Sequence, residues 1–96
     1  MRPSQALEAH RSELRALAAR FGVLRPRVFG SVLTGSDAED SDLDLLVDPS
    51  PGTTLLTLAA LQNEAERLLG VNVDVQTPKS LSTRFRDLVL EQALPV

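Results

Sequence analysis

The segment FGSVLTGSDAEDSDLDLLVD, residues Phe29–Asp48, decides the fold and organises the rest of the chain. It opens on the pair Gly30 and Ser31, where a tight turn is expected. It closes on alternating residues that are typical of a β-strand with two different faces. One of those faces carries two carboxylates, Asp42 and Asp44, at alternate positions. Carboxylates are costly to bury but are good ligands for hard cations, so the segment predicts a binding site as well as a strand.

The length and composition indicate one small folded domain. The chain has 96 residues, of which 43% are hydrophobic and 24% are charged, as in ordinary globular proteins. We therefore expect a single domain over residues 1–96, without room for a separate acceptor-binding domain. The chain has no cysteine, which excludes disulfides and thiolate metal sites.

Charge and hydropathy narrow the range of partners. The net charge of -3 argues against unaided binding to nucleic acid, since a polyanion would be repelled. No apolar run approaches the ~20 residues that cross a bilayer, so we expect no membrane partner. A cytoplasmic location is the resulting expectation.

Hydrophobic periodicity predicts an α/β (α+β) protein with a small mixed sheet of three or more strands, in the order α-β-β-α-β-α. A first helix is expected over Ser4–Phe21, with Ser4 as N-cap and Gly22 as its end. The remaining elements are a strand at Val28–Phe29, a strand at Asp42–Asp48, a helix at Thr53–Leu69, a strand at Val71–Thr77, and a last helix capped by Ser80 or Ser82.

The pattern also assigns residues to the core and to the surface. The leucine stripe of the second long helix is expected to be core, namely Leu55, Leu58, Leu61, Ala65, Leu68 and Leu69. The last helix is expected to present Leu81, Phe85, Leu88 and Val89 as its apolar positions. In the loop before the acidic strand, Asp37, Glu39 and Asp40 are expected to be solvated. Asp48, which precedes Pro49, is expected to form a turn.

A third carboxylate, Asp74, lies in the middle of the polar face of the third strand. Asp42 and Asp44 are roughly 7 Å apart along one strand face, because each residue adds about 3.3 Å. An acid from a neighbouring strand would complete an oxygen-rich shell of the kind that Mg²⁺ prefers. The alternatives are that Asp42 only starts its strand and that Asp74 is a solubilising charge on an edge strand.

The spaced residues resemble a known signature. The motif consists of Gly30, Ser31, Gly35, Ser41, Asp42 and Asp44, followed by the apolar tail Leu45, Leu46 and Val47. It resembles the signature of the polymerase-β-like nucleotidyltransferases, and the short chain is similar to their minimal branch. The resemblance extends over nearly the whole chain, through Asp74, Thr77 and Pro78 to the closing residues 93–96.

The resemblance implies a polymerase-β-like nucleotidyltransferase fold with an ATP site. Gly30 and Ser31 would hold the triphosphate, Asp42 and Asp44 would bind Mg²⁺, and Asp74 would ligate metal beside the acceptor hydroxyl or accept its proton. The family further implies an antitoxin that attaches AMP to a tyrosine of a HEPN-type ribonuclease toxin, which would be its partner in a complex.

One residue departs from the family pattern. Members of this branch often carry a basic residue just before the second glycine, where this chain has Thr34. A possible phosphate contact is thereby lost. Lys79, Arg84 or Arg86 could replace it, but the favoured interpretation of these three residues is that they are solvated charges of a helix. The alternative is therefore a non-catalytic antitoxin that neutralises its partner by binding, with a degenerate nucleotide site. Transfer to a small molecule is a weaker third hypothesis, since it usually requires an added domain.

Overall fold

A computed structural model describes residues 1–96 as one four-stranded sheet with four helices. Its elements in chain order are α1 (Pro3–Arg20), β1 (Leu24–Phe29), α2 (Ser31–Thr34), β2 (Leu43–Asp48), α3 (Leu55–Leu69), β3 (Val73–Gln76), a 3₁₀ turn (Pro78–Ser80), α4 (Arg86–Gln92) and β4 (Leu94–Pro95). The predicted class, a small mixed sheet packed with helices, is confirmed. The predicted order omitted α2 and β4, which are too short to show a period in the sequence.

The strands are arranged in the order β3-β2-β1-β4. β1 is antiparallel to both β2 and β4, whereas β2 and β3 are parallel. The parallel pair requires a crossover, which α3 provides. The strand that carries the acidic motif, β2, therefore has a neighbour on each side.

The hydrophobic core lies between one face of the sheet and the helices α1 and α3. Leu43, Leu45 and Val47 point into it from β2 and have no exposed surface. Val28 of β1 and Val73 of β3 join the same cluster. Neither helix, nor any other in the structure, combines the length and apolar character needed to cross a membrane.

The first helix begins earlier than predicted. Arg2 is the N-cap and Pro3 is the first helical residue, a position where the missing N–H of proline does no harm. Ser4 is not the cap, because it is the second residue of the helix; its backbone N–H donates to the carboxylate of Asp37. The helix ends at Arg20, close to the predicted end before Gly22.

β1 is longer than the predicted Val28–Phe29 because a bulge accommodates its proline. The strand starts at Leu24, and its register with β2 shifts between Leu24 and Arg27. Arg25 has a positive φ of 49°, and Pro26 accepts a hydrogen bond from the backbone N–H of Val96 through its carbonyl. Proline within a sheet is tolerated at such irregularities.

The second long helix, α3, confirms part of the predicted stripe. Thr54 caps it, and Leu61, Ala65 and Leu69 are buried. Leu55 and Leu56, in contrast, are 84% and 83% exposed, so the expectation that Leu55 is core was wrong. The first turn of α3 extends beyond the edge of the core.

The last helix differs from the prediction in both position and environment. A 3₁₀ turn occupies Pro78–Ser80, and α4 starts only at Arg86, so neither Ser80 nor Ser82 caps it. Phe85 and Leu88 are 53% and 51% exposed. The apolar positions of this helix are therefore not a core face, because α4 contributes no buried residue to the hydrophobic cluster.

Candidate functional site

Two of the three predicted acids lie side by side in the sheet. In the parallel register of β2 and β3, Asp44 is the direct partner of Asp74. Their neighbours Leu43 and Val73 are also partners and point into the core, so both acids lie on the face away from α1 and α3. Asp42 lies two residues before Asp44, where the chain enters β2. The fold thus brings the three acids to one region of one face.

The electrostatics confirm that the three carboxylates are neighbours. Partial burial, followed by the negative charges of Asp74 and Asp42, together raise the pKa of Asp44 to about 6. Burial and like charges both disfavour an ionised carboxyl group. An ionised Asp44 is therefore unfavourable in the protein alone, and a cation bound at this face would relieve both effects.

The acids form an oxygen-rich set without enclosing a metal position. No three histidine, cysteine, aspartate or glutamate side chains are arranged so that they could hold a metal ion as they stand. Asp74 directs both carboxylate oxygens to the Nε2 of Gln76, at 3.1 Å each. The chemistry of the three acids fits a hard divalent cation, and a bound cation would relieve the repulsion between them.

The Gly30–Ser31 turn lies against Asp44. Gly30 follows β1 and precedes α2, with φ 77° and ψ -145°, a conformation that favours glycine. A Cβ atom at this position would clash with Oδ2 of Asp44. The backbone therefore favours glycine, and a larger residue would also have to displace the carboxylate beside it. The two halves of the sequence motif are in direct contact.

A pocket of about 330 Å³ opens beside the turn. One wall contains Gly30, Ser31 and Thr34, and the other is formed by Leu88 and Val89 of α4. A larger groove of about 520 Å³ lies between α1 and α3 on the opposite side of the sheet, and it contains no motif residue. The smaller pocket is the one that contains the Gly30–Ser31 turn.

The residue that departs from the family pattern has a structural role. Thr34 closes the α2 turn, where its hydroxyl donates to the carbonyl of Ser31 at 3.3 Å and lies 2.8 Å from the hydroxyl of Ser36. Arg86 does not replace the missing basic group, because it donates to the carbonyls of Lys79 and Leu81. The turn has no cationic side chain of its own.

Asp37 was wrongly expected to be solvated. It is only 5% exposed and is the one charged residue buried in the structure. Its Oδ2 accepts the backbone N–H of Ser4 at 2.9 Å, and this hydrogen bond is the main cause that lowers the pKa of Asp37. The carboxylate attaches the loop before Asp42 to the first turn of α1. No local pattern shows this, since the two residues are far apart in sequence.

Asp48 is not the predicted turn former. It is the last residue of β2, and its carboxylate pairs with Arg25 and with Nη2 of Arg27, the latter at 2.9 Å. Its side chain is 13% exposed. Arg25 and Arg27 could have indicated this ion pairing in the sequence, because they lie on β1, the strand that pairs with β2.

Comparison with known proteins places the chain in a family. The model of the nucleotidyltransferase domain family matches residues 9–95. The chain belongs to this family. It is 41% identical over 90 residues to the protein adenylyltransferase MntA of Thermococcus cleftensis, which covers 94% of this chain and 88% of that protein. The predicted family is confirmed, and the chain is an enzyme of the nucleotidyltransferase class.

Solved structures support the same fold. A minimal nucleotidyltransferase structure superposes with a TM-score of 0.86 and 47% identity, over 97% of this chain and 95% of the other. A toxin-antitoxin crystal structure with AMP-PNP gives a TM-score of 0.75 at 21% identity, over 88% of this chain and 69% of the other. The second likeness concerns the fold alone. The expected polymerase-β-like arrangement of the sheet is thereby confirmed.

Proposed function

We propose that this nucleotidyltransferase is a Mg²⁺-dependent protein adenylyltransferase, which transfers AMP from ATP to a tyrosine hydroxyl of a HEPN-type toxin and so neutralises it. The observation that carries the proposal is the contact between the two halves of the motif. Asp44 lies against Gly30 and beside Asp74, in a chain 41% identical to a protein adenylyltransferase. The site would operate in the cytoplasm, where ATP and Mg²⁺ are available.

Each motif residue has a proposed task in the transfer. Asp42, Asp44 and Asp74 would hold the metal, which supplies charge stabilisation at the phosphoryl oxygens when bound. The backbone at Gly30 and the hydroxyl of Ser31 would bind and orient the triphosphate.

The transfer itself is a displacement at the α-phosphorus. A bond forms between the acceptor oxygen and this phosphorus, and the bond to the leaving pyrophosphate breaks. The hydroxyl proton must leave the acceptor as it attacks, and Asp74, at the edge of the acidic group, could accept it. This role for Asp74 is an alternative to direct metal ligation.

The nature of the acceptor follows from the site and from the relatives. The pocket beside Gly30 measures about 330 Å³, and its α4 wall is only partly covered. A net charge of -3 disfavours a nucleic acid as acceptor. A toxin-antitoxin structure contains a chain of this fold, and the MntA relative is a protein adenylyltransferase. These observations together favour a toxin protein as acceptor.

A non-catalytic antitoxin is the second candidate, and Thr34 is the observation that favours it. The hydroxyl of Thr34 is engaged in its own turn, so the phosphate-binding segment lacks a cationic side chain. Such a protein would neutralise its partner by covering it, without transfer of AMP.

One experiment separates the two candidates. The toxin tested as acceptor is the product of the gene next to the one that encodes this chain. It is incubated with the protein, ATP and Mg²⁺, and its intact mass is measured. We expect addition of AMP with the wild type and with the control Asp40→Asn, an exposed acid of the same loop, but not with Asp42→Asn. Neutralisation without any AMP on the toxin would overturn the proposal and establish the second candidate.

A further inference from the structure

Gln76 is the direct hydrogen-bond partner of Asp74. Both residues lie on β3, two positions apart, so their side chains point to the same face. The Nε2 of Gln76 lies 3.1 Å from each of the two carboxylate oxygens. Two contacts to one planar group restrict its rotation more than a single hydrogen bond would.

Ser80 determines which end of the Gln76 amide faces Asp74. The backbone N–H of Thr77 donates to the hydroxyl oxygen of Ser80 at 2.8 Å. The hydroxyl proton of Ser80 is then free to donate to Oε1 of Gln76, at 2.7 Å. Because that amide oxygen accepts from Ser80, the amide NH₂ must be the end that faces Asp74. The hydroxyl can instead donate to the carbonyl of Thr77 at 2.9 Å, so the two acceptors compete for one proton.

An amide is well suited to orient a carboxylate beside a cation. It donates without adding a charge, so it does not compete with a cation as lysine or arginine would. Each carboxylate oxygen has about two acceptor positions, and one donor leaves others open. Outer partners of this kind fix the orientation of metal-binding carboxylates, and their loss typically weakens metal affinity by about 10- to 100-fold.

We propose that Gln76 is a positioning residue that holds the Asp74 carboxylate for the metal, and that Ser80 orients Gln76 in turn. The inference rests on the proposed function, since it assumes that Asp74 is a ligand. It adds to that function a second layer of residues, located on β3 and the turn that follows it.

The test measures binding of Mn²⁺ in the absence of nucleotide, from the electron paramagnetic resonance signal of the free ion. Gln76→Met removes the donor while retaining the length of the side chain, and we expect about 10-fold weaker binding. Ser80→Ala leaves the amide free to turn, and we expect a loss of about threefold. Thr83→Ala, which removes an exposed hydroxyl from the same loop, is the matched control and is expected to bind as the wild type does. Thermal unfolding of each variant verifies that it is folded, and Ser80→Ala, at an exposed position, provides the test if Gln76→Met does not fold.

Asp74→Asn distinguishes failure of this inference from failure of the proposed site. If Asp74→Asn weakens binding of Mn²⁺ and both Gln76→Met and Ser80→Ala bind it like the wild type, the positioning role is refuted and the metal site stands. If Asp74→Asn itself binds like the wild type, Asp74 is not a ligand, and both the inference and this part of the proposed function are overturned.

Discussion

The two faces of β2 differ in what they contribute to the protein. On the helix-covered face, Leu43, Leu45 and Val47 are completely buried and pack into one core with α1 and α3. On the other face, Asp44 is partly buried, and its pKa is raised to about 6 by burial and by two neighbouring acids. The helix-covered face therefore stabilises the fold, while the acidic face carries charge that is unfavourable without a ligand. A binding site on a rigid strand requires both, and β2 provides them within six residues.

The largest expected effect comes from the helix-covered face. Leu45→Ala removes a side chain with no exposed surface from the centre of the sheet. Burial of this kind predicts a loss of about 3 kcal/mol in the free energy of unfolding, from lost apolar contact and the cavity that remains. Urea denaturation measures it, and a loss below about 1 kcal/mol would contradict the assignment of this face as the core.

Gly30→Ala tests the contact between the turn and the acidic face. Alanine at this position would have to adopt a φ of 77°, and its methyl group would have to displace Oδ2 of Asp44. We expect the free energy of unfolding to fall by about 2 kcal/mol. Combination with Asp44→Ala should recover part of this loss, since the clash disappears and the backbone strain remains. If the double variant lost the sum of the free energies of unfolding that the two single variants lose, the turn and Asp44 would not interact, which would contradict the proposed contact.

Asp44→Asn should stabilise the metal-free protein. A rise of the pKa from an ordinary value of about 3.9 to about 6 corresponds to about 3 kcal/mol for a fully buried group. Solvent screening at this partly buried site reduces the expected gain to about 1 to 2 kcal/mol at pH 7. Unfolding followed by circular dichroism in the presence of a chelator measures the gain.

The pH dependence of this gain has a defined sign. The folded protein retains the Asp44 proton up to a higher pH than the unfolded chain does, so wild-type stability falls as the pH rises from about 4 to about 6. The advantage of Asp44→Asn should therefore grow over that window and vanish near pH 4. A variant less stable than the wild type at pH 7 would contradict the account of the acidic face.

The smallest effect is expected at Asp37, a buried acid outside both faces. Its lowered pKa means that its ionised form stabilises the fold, an effect present above its ordinary pKa and lost as the pH falls below about 4. Asp37→Asn should lower the melting temperature at pH 7, by less than Leu45→Ala does, with the difference narrowing below pH 4. The exposed Asp40→Asn is the control, and equal melting temperatures of the two variants would contradict a specific role for Asp37.

The sequence alone was sufficient for the features that depend on local periodicity. Alternation in β2 and β3 located Asp44 and Asp74 on polar strand faces, and the structure makes them direct partners. Their roles, and those of Asp42, Gly30 and Ser31, stay predictions until the variants are measured.

Features that depend on distant contacts could not be predicted in this way. The burial of Asp37 depends on the N-terminus of α1, and the pairing of Asp48 depends on arginines of another strand. Leu55 fits the helical stripe and is still exposed, because periodicity locates a face without showing where the core ends. The Gln76 contact was missed because glutamine on a strand is usually a solvated residue.

The most direct test of the central claim combines stability and transfer in one variant. Asp44→Asn protein, first shown to be folded and at least as stable as the wild type, is incubated with the toxin, ATP and Mg²⁺, and the intact mass of the toxin is measured. The account predicts a toxin without added AMP, although the variant is the more stable protein. AMP attached at the wild-type rate would contradict the claim that the acidic face of β2 is the catalytic site.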